Sequence, residues 1–191
     1  MEKQIEFYFD LVSPYSYIAS KLIDDVSRRG NAKLSWKPFL LGGVFKAVGT
    51  TEAPGLHPAK KPYLLKDLQR LSKHLRIPIK MPHDFPVRTV LAMRTLCGFN
   101  ADEIPKAAHT LYKAYWVNNR DNADPEVVAS LVGKDAVERA GIQEIKEALF
   151  QSTEEAVKRG TFGAPTFFIK DEMFFGHDRL HLLELHLNGQ I

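Results

Sequence analysis

The chain has 191 residues, of which 45% are hydrophobic and 26% charged, and its formal net charge is +3. That is enough chain for one domain, or one domain with an insertion, around a real core. The charge is too small and too scattered to argue for nucleic acid.

The single cysteine, Cys97, excludes an internal disulfide, a dithiol redox centre and a structural zinc site, and no metal site is expected. The chain therefore reads as a protein of a reducing compartment. No apolar run approaches the roughly 18 residues a membrane span needs. Met1 to Ile5 lead directly into a strand pattern with no room for a signal peptide, so a cytoplasmic location is the expectation.

In chain order, residues 4–12 alternate as a strand, with Ile5, Phe7, Phe9 and Leu11 on one face. Residues 14–28 carry Ile18, Leu22 and Val26 on one helical face, and Gly30 supplies the stop. Residues 33–39 form a second strand, so the chain opens on a parallel βαβ unit. Residues 42–62 hold four glycines and three prolines and read as a long loop with at most a short helix. Leu64, Leu68, Leu71 and Leu75 mark a helix of about four turns. The Pro-rich run from Arg76 to Pro86 must be extended. Helical patterns follow at 88–99 and 103–117, and Asp124-Pro125 caps and opens another helix. Ser152 and Glu155 match a capping box within a helical stretch that Gly160 can end. Two short strands then flank Lys170-Asp171-Glu172, and Asp178 caps a last helix carrying Leu180, Leu183 and Leu187. The order βαβ, about a hundred mostly helical residues, then ββα fits an α/β domain with a helical insertion.

Three places can carry chemistry. Ser13 before Pro14 is a helix N-cap in its plain reading. In its functional reading it is a hydroxyl at a helix start that can hold an anion, including a thiolate. A serine nucleophile is disfavoured, because no G-x-S-x-G and no neighbouring base accompany it. The run Gly163-Ala164-Pro165-Thr166 is a plain strand entry, or a cis proline that exposes the Ala164 backbone to an extended peptide ligand. Gly176-His177-Asp178-Arg179 is a capped helix start, or a place where His177 and Asp178 meet a ligand's charged groups. Of the aromatics Tyr8, Tyr15, Tyr17, Trp36, Tyr63 and Phe85, most are expected in the core.

These pieces, in this order, resemble one family. The layout is similar to a thioredoxin fold with a DsbA-like inserted helical domain, giving residues 1–42 and 161–191 as a discontinuous thioredoxin-like domain and 43–160 as the all-helical insertion. Where redox members have Cys-x-x-Cys, this chain has Ser13-Pro14-Tyr15-Ser16, so dithiol exchange is not possible there. The runs FYFDLVSPYSY, IPIKMPHDFPVRTVLAMR, GTFGAPTFF and MFFGHDRLHLLE, with Lys61, Tyr63 and Asp67 between them, resemble the kappa-class glutathione transferases and the 2-hydroxychromene-2-carboxylate isomerases.

That resemblance implies glutathione as cofactor. Ser13 would bond its sulfur, Ala164 and Pro165 would pair with its cysteinyl part, His177 and Asp178 would hold the γ-glutamyl end, and Lys61 would reach the glycyl carboxylate. On residue chemistry instead, Tyr15, an aromatic near the expected cleft, and Arg88, which can meet a carboxylate or be a plain surface arginine, are the candidates to face the substrate, a small aromatic or electrophilic molecule. A homodimer is implied by resemblance alone. His177 stands where many kappa enzymes have serine, and the loop at 49–58 departs from the family pattern. The leading expectation is an isomerase in which the bound thiolate adds reversibly to a conjugated aromatic substrate. A kappa-like transferase that consumes glutathione, a thioredoxin-fold protein of thiol metabolism, and a binding module that has lost its chemistry are the alternatives.

Overall fold

The first strand, β1 (Lys3–Phe9), has Ile5, Phe7, Tyr8 and Phe9 fully buried, because it runs through the middle of the sheet and is covered on both faces. The structure, a computed structural model, describes residues 2–50 and 57–191. β1 pairs in parallel with β2 (Ala32–Pro38) and antiparallel with β3 (Thr166–Ile169), which pairs antiparallel with β4 (Glu172–Phe175). The sheet order is β2-β1-β3-β4. Register places Phe7 opposite both Trp36 and Phe167, with ring centroids 4.9 Å and 5.0 Å away. This aromatic band, about 0.5–1.5 kcal/mol per pair beyond area burial, pins the sheet.

The expected helix over 14–28 is two helices, α1 (Pro14–Ser20) and α2 (Ile23–Arg29). The apolar face continues across the break, which is why the sequence pattern does not show it. Locally, Lys21 and Leu22 donate to Ile18 and Ala19, each at 3.0 Å, and the Ser20 hydroxyl captures the Tyr17 carbonyl at 2.7 Å. These i to i−3 bonds tighten the turn and reset the axis. Gly30 ends α2 as expected, and it has a second reason to be glycine: a Cβ there would lie 2.5 Å from Leu187 Cδ1.

Between β2 and β3 run α3 (Leu41–Ala47), α4 (Lys61–Leu75), α5 (Val90–Cys97), α6 (Ile104–Trp116), α7 (Pro125–Val132), α8 (Lys134–Arg139) and α9 (Gln143–Lys158). Asp124 caps α7 through the amides of Glu126 and Val127, as its sequence predicts. The capping box at Ser152 is not formed. α9 continues through Ser152 because Leu149, Thr153 and Ala156 bury one continuous face, and packing overrides the local cap signal. The Pro-rich run from Arg76 onward has no regular structure and is held by the Lys80 amide on the Trp116 carbonyl at 2.7 Å.

One apolar cluster joins the sheet to α1, α2 and the helices α4 to α7 through Phe7, Phe9, Tyr17, Leu68, Met93, Tyr112 and Trp116. A smaller one, with Tyr8, Phe39, Val44 and Phe168, lies on the other sheet face under α3 and α9. The chain closes with a 3-10 turn (His177–Arg179) and α10 (Leu180–Leu187). Asp178 does not cap this last helix. It sits inside the turn, its carboxylate bonded to Arg179 at 2.7 Å, while Gly176 occupies the position ahead of the turn.

Candidate functional site

Segments remote in sequence meet where β1 ends. Asp10 starts the assembly. It is 2% exposed, and its carboxylate accepts from the Thr89 hydroxyl at 2.7 Å, the Leu41 amide at 2.9 Å and the Val12 amide at 3.1 Å. Burial pushes its pKa up, and those three donors pull against the rise. Its backbone carbonyl takes the Ser13 amide at 3.1 Å and the Tyr112 phenol at 3.3 Å. One residue thus ties the turn before Ser13 to the starts of α3 and α5 and to α6.

Ser13 stands at the N-cap of α1 with extended backbone (φ −85°, ψ 117°) and is 4% exposed. Its Oγ accepts from the Ser16 amide at 3.1 Å and donates to the Ala164 carbonyl at 3.0 Å. So the cap is real, and the same hydroxyl joins the first candidate segment to the second across 151 residues of chain. The Ala164–Pro165 bond is cis. The Pro165 carbonyl accepts the Gly176 amide at 2.9 Å, which brings in the third segment. Ser16 is fully buried, and its Oγ has no partner among the described residues.

Tyr15 links the first segment to two others. Its ring stacks on the His177 imidazole, centroids 5.1 Å apart and planes 6° from parallel. Its phenol donates to Asp67 Oδ2 on α4 at 3.2 Å. Burial first, then the Asp67 charge, push the phenol's pKa up, so it stays a donor. Burial lowers the pKa of His177 against the opposing pull of Asp178 and Asp67, which leaves a neutral imidazole at pH 7. Gly176 has φ +98°, and a Cβ there would sit 2.5 Å from Asp178 Oδ1, so glycine is what lets the Asp178 carboxylate fold back over the turn.

Ser13, Tyr15, Ala164, Pro165, His177 and Asp178 are thereby gathered in one place. Lys61 and Arg88 are not seen in contact with them. Lys61 is exposed at the first position of α4, about 9 Å along the helix from Asp67. Arg88 is exposed, and only its neighbour Thr89 reaches inward, to Asp10. Asp10, Asp67 and Thr89 join the site with no role expected for them from the sequence. An aspartate directly after the apolar run Phe7-Tyr8-Phe9, in FYFD, is the available signal for the first. The 49–58 loop includes residues 51–56, which lie outside the described residues.

For a ligand, the gathered site offers backbone donors. Pro14 has no N–H, and the amides of Ser16 and Tyr17 are taken by Ser13. Among the described residues the amides of Tyr15 and Ala164 have no partner. Also among them, no group of three or more His, Cys, Asp and Glu side chains converges as a metal site would require, and no helix is long and apolar enough to cross a membrane. A groove of about 590 Å³, lined by Glu2, Lys3, Glu6, Lys170 and His186 among others, opens at the far end of β1 and holds none of the expected site residues.

The family model described as the DSBA-like thioredoxin domain matches residues 4–188. The chain belongs to that family. Within it, this DsbA-like chain is 31% identical to human glutathione S-transferase kappa 1, covering 100% of the chain and 92% of the relative. It is 29% identical to the 2-hydroxychromene-2-carboxylate isomerase of Sphingobium xenophagum, over 98% of the chain and 99% of the relative. The solved structure of a 2-hydroxychromene-2-carboxylate isomerase superposes with a TM-score of 0.86 at 25% identity, covering 97% of this chain and 95% of that one. The fold is thus the expected thioredoxin-like one with helices inserted between β2 and β3, and the branch is the expected one of isomerases and kappa transferases, both enzymes. This DsbA-like chain has serines at 13 and 16. Its one thiol, Cys97, ends α5 with its pKa pushed up to about 12 by burial.

Proposed function

We propose that the protein is a glutathione-dependent isomerase of the 2-hydroxychromene-2-carboxylate isomerase type. The carrying observation is the junction of the Ser13 hydroxyl with Ala164 at the start of α1, beside two amides that have no partner among the described residues. An extended cysteinyl residue can lie along Ala164-Pro165 and place its sulfur in front of Ser13. Tyr15 then supplies an N–H and Ser13 an O–H to the sulfur, while the Ala164 N–H pairs with the cysteinyl backbone.

A free thiol titrates near 8.5, so only a few per cent is thiolate at pH 7. Lowering that pKa by about two units takes about 2.7 kcal/mol. One charge-assisted hydroxyl bond and one amide donor are of that order. The thiolate adds to an electron-poor carbon of a conjugated aromatic substrate, a double bond becomes single, the adduct rotates, and the thiol leaves. Glutathione is regenerated.

In this reading His177 and Asp178 hold the γ-glutamyl end, Lys61 reaches the glycyl carboxylate, and Arg88 and the ring edge of Tyr15 face the substrate. The protein works as a homodimer in the cytoplasm, and its chain is organised as residues 1–42 with 161–191 around an insertion of 43–160. A kappa-like transferase that releases the conjugate is the second reading, supported by the 31% identity to the human kappa enzyme. Disulfide chemistry is disfavoured, because Cys97 is the only thiol and burial keeps it protonated.

Calorimetry with glutathione tests the reading first, with binding at or below millimolar ligand expected. No heat and no competition at that concentration would sink it. Incubation with 2-hydroxychromene-2-carboxylate then separates the two activities, since the isomerase turns over many equivalents of substrate per glutathione and the transferase only one.

A further inference from the structure

A serine hydroxyl has one proton and two acceptor lone pairs. In Ser13 the proton goes to the Ala164 carbonyl at 3.0 Å, and one lone pair takes the Ser16 amide at 3.1 Å. A carbonyl can only accept, so the direction of the first bond is fixed. In this state Ser13 presents a lone pair to anything in front of α1. It can receive the S–H of a neutral thiol, and it has no proton to give a thiolate. Ala164 is in the complementary condition, with its carbonyl occupied by Ser13 and its amide unpartnered among the described residues.

Building on the glutathione reading above, we propose that the ligand's own backbone releases Ser13. The cysteinyl N–H of the ligand replaces Ser13 as donor to the Ala164 carbonyl. The cysteinyl carbonyl accepts from the Ala164 amide, and the freed hydroxyl turns its proton toward the sulfur. The thiol proton leaves to solvent, and no bond to carbon changes in this step. The exchange is favoured because a neutral O–H···O=C bond is given up for an N–H···O=C bond of similar strength and a stronger charge-assisted O–H···S⁻ bond. Ser13 is 4% exposed and Ala164 9%, so the hydroxyl has little bulk water to turn to once it leaves the carbonyl.

The consequence is a specificity rule. A thiol is ionised in this site only if it carries an amide N–H in the cysteinyl position. Simple alkyl thiols, and peptides blocked at that nitrogen, occupy the site as neutral thiols. The Ser16 amide stays on Ser13 Oγ throughout, so the cap of α1 is not lost in the exchange.

The test uses the full-length protein with glutathione and with its analogue methylated on the cysteinyl amide nitrogen. Thiolate absorbance is titrated at saturating ligand. The bound analogue is expected to hold at least tenfold less thiolate than bound glutathione at pH 7, one pKa unit or more. In Ser13→Ala the two ligands should ionise alike. Equal ionisation of the two in the wild-type protein overturns the proposal. Should the analogue not bind, a crystal structure of the glutathione complex decides. Ser13 Oγ is expected beyond hydrogen-bond distance of the Ala164 oxygen and within it of sulfur. A complex that keeps the Ser13–Ala164 bond, with the carbonyl taking both donors, overturns the proposal. Failure of the wild-type protein to bind glutathione at all is a different result, and it removes the glutathione reading itself.

Discussion

Replacing Thr89 with valine tests the knot that holds the site. The Thr89 hydroxyl donates to Asp10 at 2.7 Å, and the two residues are 4% and 2% exposed. Valine keeps the shape and deletes the donor to a buried carboxylate. Hydrogen bonds to charged groups contribute about 1.5–3 kcal/mol, and about 1 kcal/mol moves Tm by roughly 2–4 °C in a chain of this size. The expected loss is therefore about 2 kcal/mol, or roughly 4–8 °C. Thr89→Ser should recover most of it.

The pH dependence has a defined sign. Burial raises the folded pKa of Asp10 above the ordinary 3.8, so between the two values the folded state holds more protons than the unfolded one. The cost of the buried charge is present above the folded pKa and is relieved as pH falls through it. The variant has lost one donor to that charge, so its deficit against wild type is largest near pH 7 and shrinks toward acid. Urea unfolding of wild type, Thr89→Val and Thr89→Ser from pH 7 down toward the ordinary carboxylate value of 3.8 measures this. A deficit under about 0.5 kcal/mol at pH 7 refutes the account of Asp10 as a charged tie, as does one that does not change with pH.

Tyr15→Phe removes the phenol that bonds Asp67 but keeps the stack on His177. It should cost about 0.5–1.5 kcal/mol and weaken glutathione binding several-fold by loosening α4, while leaving the bound thiol's pKa unmoved; calorimetry and ultraviolet titration read the two effects separately. Gly30→Ala forces a methyl to within 2.5 Å of Leu187 Cδ1 and should destabilise by about 1–3 kcal/mol, whereas Gly42→Ala, with nothing within 4 Å, should be neutral or stabilising by up to about 1 kcal/mol in thermal melts. His177 has its pKa lowered in the fold, so the unfolded chain binds more protons below about 6.5 and this residue's contribution to stability falls as pH drops through that window. His177→Gln should flatten that part of the pH–stability curve.

What could be read from the sequence follows the range of the forces involved. Ser13-Pro14 and Asp124-Pro125 are caps in the structure because a cap is decided within four residues. The strands of the opening unit followed from alternation and their parallel pairing from the βαβ spacing, whereas the order β2-β1-β3-β4 is set by contacts between strands far apart in the chain. Where packing competes with local chemistry, packing wins. Ser152 lies inside α9 because its neighbours Leu149, Thr153 and Ala156 bury a continuous face, and Asp178 lies in a 3-10 turn ahead of α10. The break at Lys21 left no mark because the apolar face of α1 continues into α2.

The site was legible in its pieces and not in its connections. Ser13, Ala164 and His177 each stand in a recognisable local pattern. That Ser13 spends its only proton on Ala164, and that Tyr15 is stacked on His177, are facts of contact across more than a hundred residues. Asp10 escaped for the same reason. Its role lies in the Leu41 amide, the Thr89 hydroxyl and the Tyr112 phenol, and none of these is a sequence neighbour.

The central claim is that Ser13 stabilises a thiolate brought by glutathione. Ultraviolet titration of the saturated protein, wild type against Ser13→Ala, tests it most directly. A bound thiol titrating about two units below the free value near 8.5, and at least one unit higher in the variant, is the predicted result. A bound thiol that titrates at its free value in the wild-type protein, or at the same pH in both proteins, contradicts it and leaves Ser13 only the cap of α1.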